Sequence, residues 1–415
     1  MQSREPGNFF DWFLELAPEL EEEFVPGTYL FPVSGAAQFE PVGPQAGHDA
    51  KRMFGKMVMD TMEEQCKKLG VEILTRHSAT DLETDNGGIS AVVVNGPEGY
   101  LKIRCRACVL ATGSWIRNRE IVGKVCPELL DAWLEMTPHL NPAYTGDGIK
   151  LAEKAGAFVD YDSFCLRMMG PLVMLKSLIF RAMIQSKYMI SVNLDGKRYC
   201  SEPISHMESF EDGLLQLRQP HGVCYDLFDM NCIMAHSKLP YVPPKYGMME
   251  MFALPPFPTD PQEIQKQLDE AIAQGDKNVF VADTLEELAE KTGIQKENLL
   301  ETVERYNGFC SEGMDWDYVK PQDALVPLTK GPFFAVKATV GTDGAFGGVL
   351  VDENMQAYSA DKTGRVEGLY VTGDFASGRF INEAGNKRQI LNDMSWAFSS
   401  GFLAGTNAAD YLRKK

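Results

Sequence analysis

No G-x-G-x-x-G occurs anywhere in the chain, so the glycine loop that cradles a dinucleotide diphosphate is missing from it. No haem-type CxxCH or cluster-type cysteine spacing occurs either, which excludes an electron relay on the chain's own cysteines. The nine cysteines are scattered and odd in number, against a disulfide framework. Cys105-Arg106-Ala107-Cys108 is a lone CxxC in a strand pattern, where positions three apart face opposite sides. Buried strand thiols are the simpler reading. Positive charge is scarce, with 40 basic against 58 acidic residues and a net charge of −18. No basic run precedes Arg413-Lys414-Lys415, so no nucleic-acid partner is expected. Long apolar runs are missing too. The longest, residues 168–190, is broken by Pro171, Lys176, Arg181 and Lys187, so no membrane span is expected. No secretory signal opens the chain. Cytoplasm is the expected location, with export left open to a signal on a further N-terminal segment.

What is present is ordinary globular material: 44% hydrophobic and 24% charged residues over 415 positions, enough for two domains. Residues 8–24 read as an amphipathic helix, with Phe9, Trp12, Phe13, Leu16 and Leu20 on one face. A Pro- and Gly-rich loop follows, and Asp49 is placed to cap a helix ending near Leu69. A short strand is expected over 71–75. Turns at Asn86-Gly87-Gly88 and Asn95-Gly96-Pro97 separate further strands. The run Ala107-Cys108-Val109-Leu110-Ala111 reads as a buried parallel strand that stops at Thr112-Gly113-Ser114. From about 150 to 325 the character changes. Met-rich segments and a Pro-rich stretch appear, with helices expected over 261–274, 284–292 and 296–309. Strand signals resume at 333–340 and 348–351. The pattern is one α/β domain split by an α+β insertion, with segments 1–149, 150–328 and 329–415.

The tail carries the most chemistry. Gly368-Leu369-Tyr370-Val371-Thr372-Gly373-Asp374 is an apolar strand ending in Gly-Asp. Asn386-Lys387-Arg388-Gln389-Ile390-Leu391-Asn392-Asp393 follows, and then a helical pattern over 395–409. That order puts a carboxylate and a helix N-terminus on one side of a parallel sheet. Such an edge suits a ligand with sugar-like hydroxyls and an electron-rich carbonyl, and a flavin has both. Thr112-Gly113 is a second strand end, and Tyr144-Thr145-Gly146-Asp147-Gly148 opens a helix over 149–155. Each of these alone is also a plain turn or helix cap. Their order along one chain is the signal.

These segments resemble FAD-dependent oxidoreductases of the fumarate reductase/succinate dehydrogenase flavoprotein type. Residues 108–114 look like that family's strand-to-loop motif, and 145–156 its segment leaving the flavin domain. Ser191-Val192-Asn193-Leu194-Asp195-Gly196-Lys197-Arg198-Tyr199 resembles its capping-domain hairpin. Segments 283–289 and 302–307 look like later capping helices, and 347–405 follows the C-terminal flavin segment. The resemblance implies an FAD-binding Rossmann-like domain with an inserted α+β capping domain. Ala111, Thr112, Gly113, Asp147, Gly373 and Asp374 would lie along FAD. Asp393 and Met394 would offer backbone N–H groups to the isoalloxazine carbonyl. Arg388 would clamp and polarise the substrate's carbonyl or carboxylate. Its other reading is a surface arginine near a helix start.

Departures matter equally. Without the G-x-G-x-x-G unit the Rossmann-like domain is incomplete. A further N-terminal segment or a partner chain is expected to complete the FAD site. The family's histidine before the paired glycines is absent, since Gly344-Ala345-Phe346 precede Gly347-Gly348. His206 stands where the family has a proton-donating arginine, and it is equally readable as a polar loop residue. Tyr188 and Arg181 are weaker donors. The expected reaction is hydride transfer between FAD and an activated C=C or C–C bond beside a carbonyl, with a small-molecule substrate other than fumarate. A separate electron donor is expected. A 3-ketosteroid-type dehydrogenation is the alternative within enzymes. A non-catalytic remnant or partner-completed subunit is the alternative outside them.

Overall fold

The computed structural model describes residues 5–18, 24–27, 38–41, 54–131, 142–169, 175–202, 215–241, 255–339, 341–379 and 393–414. A mixed sheet organises the first core. Strand Arg365–Val371 pairs parallel with Cys108–Leu110, placing Leu369 opposite Cys108 and Val371 opposite Leu110. It also touches Gly88–Gly96 in parallel through Glu367 and Gly88. Ser78–Asp85, Gly88–Gly96 and Gly99–Arg104 form an antiparallel meander on this sheet. Its first turn is Asn86-Gly87, with φ of 51° and 82°, the pair of positive values that a tight hairpin of this hand requires. Leu110, Trp115, Ile149, Val349, Leu369, Val371, Phe375 and Ala404 fill the core beneath the sheet.

A second core lies wholly between Leu175 and Val336 in sequence, and the first core is built from residues on either side. Its sheet is antiparallel, in the order Val279–Ala282, Phe333–Thr339, Val223–Asp229, Ile190–Asn193. Helices Pro261–Ala273, Leu285–Thr292 and Lys296–Glu312 contribute Ile264, Leu268, Leu288, Leu299 and Tyr306 to it. Residues 150–164, expected in the insertion, pack in the first core through Leu151, Ala152, Val159 and Phe164. Residues 333–336, expected beyond the insertion, pack in the second. Two-stranded pairing of Cys165–Met169 with Gly341–Phe346 joins the segments that run between the cores.

Local chemistry explains several boundaries. Thr284 caps Leu285–Thr292 by accepting from the Glu287 N–H at 3.2 Å, and Glu287 in return accepts from the Asp283 N–H at 3.1 Å. The first helix is Glu5–Leu16 rather than 8–24, and residues 24–27 are a strand. Pro18 accounts for the early stop, because it disfavours helical geometry at Ala17 and has no N–H to continue the ladder. Residues 71–74 form no ladder, and Val71, Ile73 and Leu74 are exposed. The helix expected from Asp49 is described as Phe54–Lys68, and Asp49 itself lies outside the described residues. The closing helix, Asp393–Lys414, is longer than expected. It buries Ala404 and Ala408 in the first core and packs on the first helix, where Phe9 and Phe398 stack at 4.7 Å.

Candidate functional site

Parallel pairing makes the two apolar strands end together. After Leu110 the chain emerges at Ala111, which is exposed, and Thr112 and Gly113 are half-buried. The loop is then pinned. Ser114 Oγ donates to the Ala345 carbonyl and Trp115 Nε1 to the Gly347 carbonyl, both at 3.3 Å. On the neighbouring strand the Thr372 N–H donates to the Leu110 carbonyl at 3.0 Å, carrying the pairing one step past Val371. Gly373 follows with φ +79°, and no atom of the described residues lies within 4 Å of where a Cβ would sit. A side-chain-free residue in the left-handed region beside open space leaves its backbone approachable. Asp374 begins a 3-10 turn, Asp374–Arg379.

Two helices start at this edge. Asp147–Lys154 begins directly against the strand-end loops, because a Cβ on Gly148 would meet Thr112 Oγ1 at 2.0 Å and Phe375 Cζ at 2.9 Å. Only glycine permits that approach, so the Gly146-Asp147-Gly148 turn is held beside both loops with Asp147 exposed. Asp393–Lys414 lies over Gly373. Trp396 Nε1 donates to the Gly373 carbonyl at 3.1 Å, and the Gly373 N–H donates to Ser400 Oγ at 3.1 Å. Ser400 Oγ also shares a 2.6 Å hydrogen bond with Thr372 Oγ1. Asp393 and Met394 are the first two residues of this helix as described, so their N–H groups belong to its unpaired first turn.

Of the residues singled out in the sequence, Ala111, Thr112, Gly113, Asp147, Gly373 and Asp374 are thus brought to one sheet edge, with the helix from Asp393 across it. Arg388 and His206 lie outside the described residues. Trp396 and Ser400 escaped the sequence reading. Their signal is the i, i+4 spacing that sets both on one face of the closing helix. A flavin fits this edge on observations of the chain itself. Among the described residues no atom crowds the side-chain position of Gly373, Thr112 Oγ1 is buried without a hydrogen-bond partner, and the helix that begins at Asp393 lies over Gly373. An unspent hydroxyl suits a ligand rich in hydroxyl and carbonyl groups.

Burial pushes the Cys108 thiol up to about 12 and raises Cys105 as well, and both are free. No group of three or more potential metal ligands occurs among the described residues. No helix among them is long and apolar enough to cross a membrane.

The second core holds a buried ionic cluster that sequence reasoning missed. The hairpin after Ile190–Asn193 turns at Gly196, and Val192 bridges Arg198. Arg198 makes a two-pronged pair with Glu202, at 2.9 and 3.0 Å, and reaches Asp315 at 2.9 Å. Lys320 sits 3.4 Å from Glu202 and donates to the Met189 carbonyl at 2.5 Å. Burial alone would raise the Glu202 carboxyl, but Lys320 and Arg198 outweigh it and hold the group below its ordinary range. Burial also opposes ionisation of Asp315, and the Arg198 hydrogen bond and charge overcome it. Two cations therefore face two anions.

Comparison with known proteins adds four findings. A family described as "FAD binding domain" matches residues 14–382. The NADH:acrylate oxidoreductase of Vibrio harveyi is 28% identical over 380 residues, which are 90% of this chain and 34% of that protein. The vinyl phenol reductase of Lactiplantibacillus plantarum is 25% identical over 384 residues, 90% of this chain and 75% of that one. Among solved structures, the open conformation of a flavocytochrome c3 fumarate reductase superposes with a TM-score of 0.62 at 21% identity. That match covers 99% of this chain and 63% of the other, and it speaks to the fold. The chain spans about a third of the length of the first of these relatives.

Proposed function

The chain belongs to the FAD binding domain family, and on that premise we propose that it is the flavin-binding and catalytic part of an oxidoreductase acting on an activated C=C bond. The observation that carries this reading is the single sheet edge where the ends of Cys108–Leu110 and Arg365–Val371 meet the starts of Asp147–Lys154 and Asp393–Lys414. Relatives named for acrylate and vinyl phenol reduction support an alkene as substrate. Bound at this edge, FAD supplies hydride transfer.

The chain's own residues do the rest. Gly373, open on one side, lets a ring approach the backbone, and Ser400 and Trp396 hold its N–H and carbonyl so that the approach is rigid. Asp374 and Asp147 serve as acceptors for ligand hydroxyls. The N–H groups of Asp393 and Met394 stabilise negative charge on a carbonyl oxygen. Arg388 polarises the substrate's carbonyl with its guanidinium fork, and His206 delivers the proton to the alkene carbon. The insertion, expected over 150–328, covers the site and excludes water. Electrons arrive from a separate donor. A further segment or partner chain supplies the diphosphate cradle that these 415 residues lack as a G-x-G-x-x-G motif.

The test is reduction of acrylate, a vinyl phenol and fumarate by the FAD-loaded protein, with a reduced viologen as donor. Turnover of an alkene, abolished in Arg388→Gln without loss of flavin, supports the reading. A flavin-loaded protein that turns over none of them removes the proposed reaction.

A further inference from the structure

The second core carries an open hollow of about 360 Å³ lined by residues of the 193–199 hairpin, helix Lys296–Glu312 and the 316–318 segment. Its volume is in the range of small-molecule sites. None of the residues around it belongs to the sheet edge described above. Its walls are aromatic, formed by Tyr306, Trp316 and Tyr318. Its charged groups are Lys197, Arg198, Arg305 and Asp317.

The charges can be matched one by one. Arg198 and the nearby Lys320 are balanced by Glu202 and Asp315. Arg305 is held by Asp317 in two hydrogen bonds, at 2.8 and 2.6 Å. Lys197 remains. Its side chain is exposed and its ammonium enters no ion pair among the described residues. Behind it, the buried Arg198 guanidinium lies 5.0 Å from the Tyr306 ring centroid and 5.2 Å from that of Tyr318. Arg198 Nη1 is buried and finds no hydrogen-bond acceptor among the described residues. Trp316, 67% exposed, offers a large uncovered ring face at the rim, with its indole N–H already donating to Glu312 Oε2 at 2.9 Å. One unmatched cation, a fixed guanidinium with an unused donor and an exposed indole describe a complement to one negative charge on a flat ring.

We propose that this hollow is a second ligand site, separate from the sheet edge, that binds a small aromatic monocarboxylate. The carboxylate pairs with Lys197 in the field of Arg198, and the ring lies against Trp316. Two arms of charge-assisted contact and ring packing favour an aromatic acid over an aliphatic one of the same size.

The experiment is calorimetric titration of the full chain with sodium benzoate, beside sodium cyclohexanecarboxylate. One benzoate is expected to bind per chain, more tightly than the saturated acid. Lys197→Glu and Trp316→Ala should each weaken it by about tenfold or more. Trp316→Phe, which keeps a ring, should bind better than Trp316→Ala. Both positions are exposed, so unfolding is not expected to confuse the result. Lys277→Glu, an exposed lysine elsewhere, controls for general charge, and Arg388→Gln controls for binding at the proposed reaction site; both should leave affinity unchanged. Absence of saturable heat, or equal affinity in Lys197→Glu and wild type, overturns the proposal. Loss of binding in Arg388→Gln with retention in Lys197→Glu overturns it as well, and assigns the benzoate to the sheet edge instead.

Discussion

Trp396 donates its indole N–H to the carbonyl of Gly373 at 3.1 Å, so the closing helix grips the backbone at the end of the central parallel strand. The N–H of the same residue, in the preceding peptide group, donates to Ser400 Oγ. This clamp turns a strand end, a 3-10 turn and a helix start into one rigid edge.

The first prediction concerns Gly373 itself. Its φ of +79° is costly for a residue with a Cβ, although no atom of the described residues obstructs the added carbon. Gly373→Val should therefore lower unfolding free energy by about 1–2 kcal/mol through backbone strain alone. Urea denaturation measures this. A variant as stable as wild type would mean the local backbone relaxes out of the left-handed region.

Gly148 has the opposite problem, since space rather than conformation is short. Gly148→Ala places a carbon 2.0 Å from Thr112 Oγ1. Overpacking of this kind should cost about 1–3 kcal/mol. Removing the hydroxyl in the double variant Gly148→Ala/Thr112→Ala should restore part of the loss, because the two positions share one contact. Strictly additive destabilisation in a double-mutant cycle would contradict the packing described.

The buried cluster sets an acid limit on stability. The Glu202 and Asp315 carboxyls are held below their ordinary values of 4.5 and 3.8 in the folded state. A group depressed on folding stabilises the fold above its unfolded value and loses that contribution as pH falls through the folded one. Stability should hold down to the ordinary carboxyl range and then decline as pH drops below it. Glu202→Gln, which leaves Arg198 and Lys320 facing one carboxylate, should cost about 3–5 kcal/mol at neutral pH and flatten the acid decline. Thermal unfolding from neutral pH into acid, on both proteins, checks sign and window together.

Thiol reactivity gives an independent test of the sheet. Cys108, pushed up to about 12 by burial, and Cys105, also raised, should alkylate slowly in the native protein at neutral pH. Peptide mapping after a short iodoacetamide pulse, with and without urea, reads this directly. Rapid native labelling of Cys108 would place that strand end in solvent.

Local signals were the legible ones. Cys108–Leu110 and Arg365–Val371 announced themselves as apolar runs stopped by Thr-Gly and Gly-Asp, and Asn86-Gly87 by turn chemistry confined to a few residues. The shared edge followed from their parallel order. What escaped depends on partners distant in sequence. Arg198 and Asp315 are 117 residues apart, and Thr372 and Ser400 are 28 apart. Neither pairing leaves a periodic trace in the chain. The early end of the first helix was readable, because Pro18 stands in plain view, but the apolar face continuing to Leu20 outweighed it. Near the expected borders of the insertion, packing and composition divide the chain at different residues. Composition shifts near 150, while side chains as far as Phe164 still pack into the first core.

The central claim is that Gly373, clamped by Trp396 and Ser400, forms the floor of a flavin site. Titrating the chain, completed by the segment or partner that supplies the diphosphate cradle, with FAD while recording the flavin's visible spectrum tests it most directly. A saturable spectral shift in the wild-type chain that is lost in Gly373→Val, with the fold retained, is the predicted result. A spectrum that does not change on mixing, or one that shifts equally with Gly373→Val, would contradict the claim.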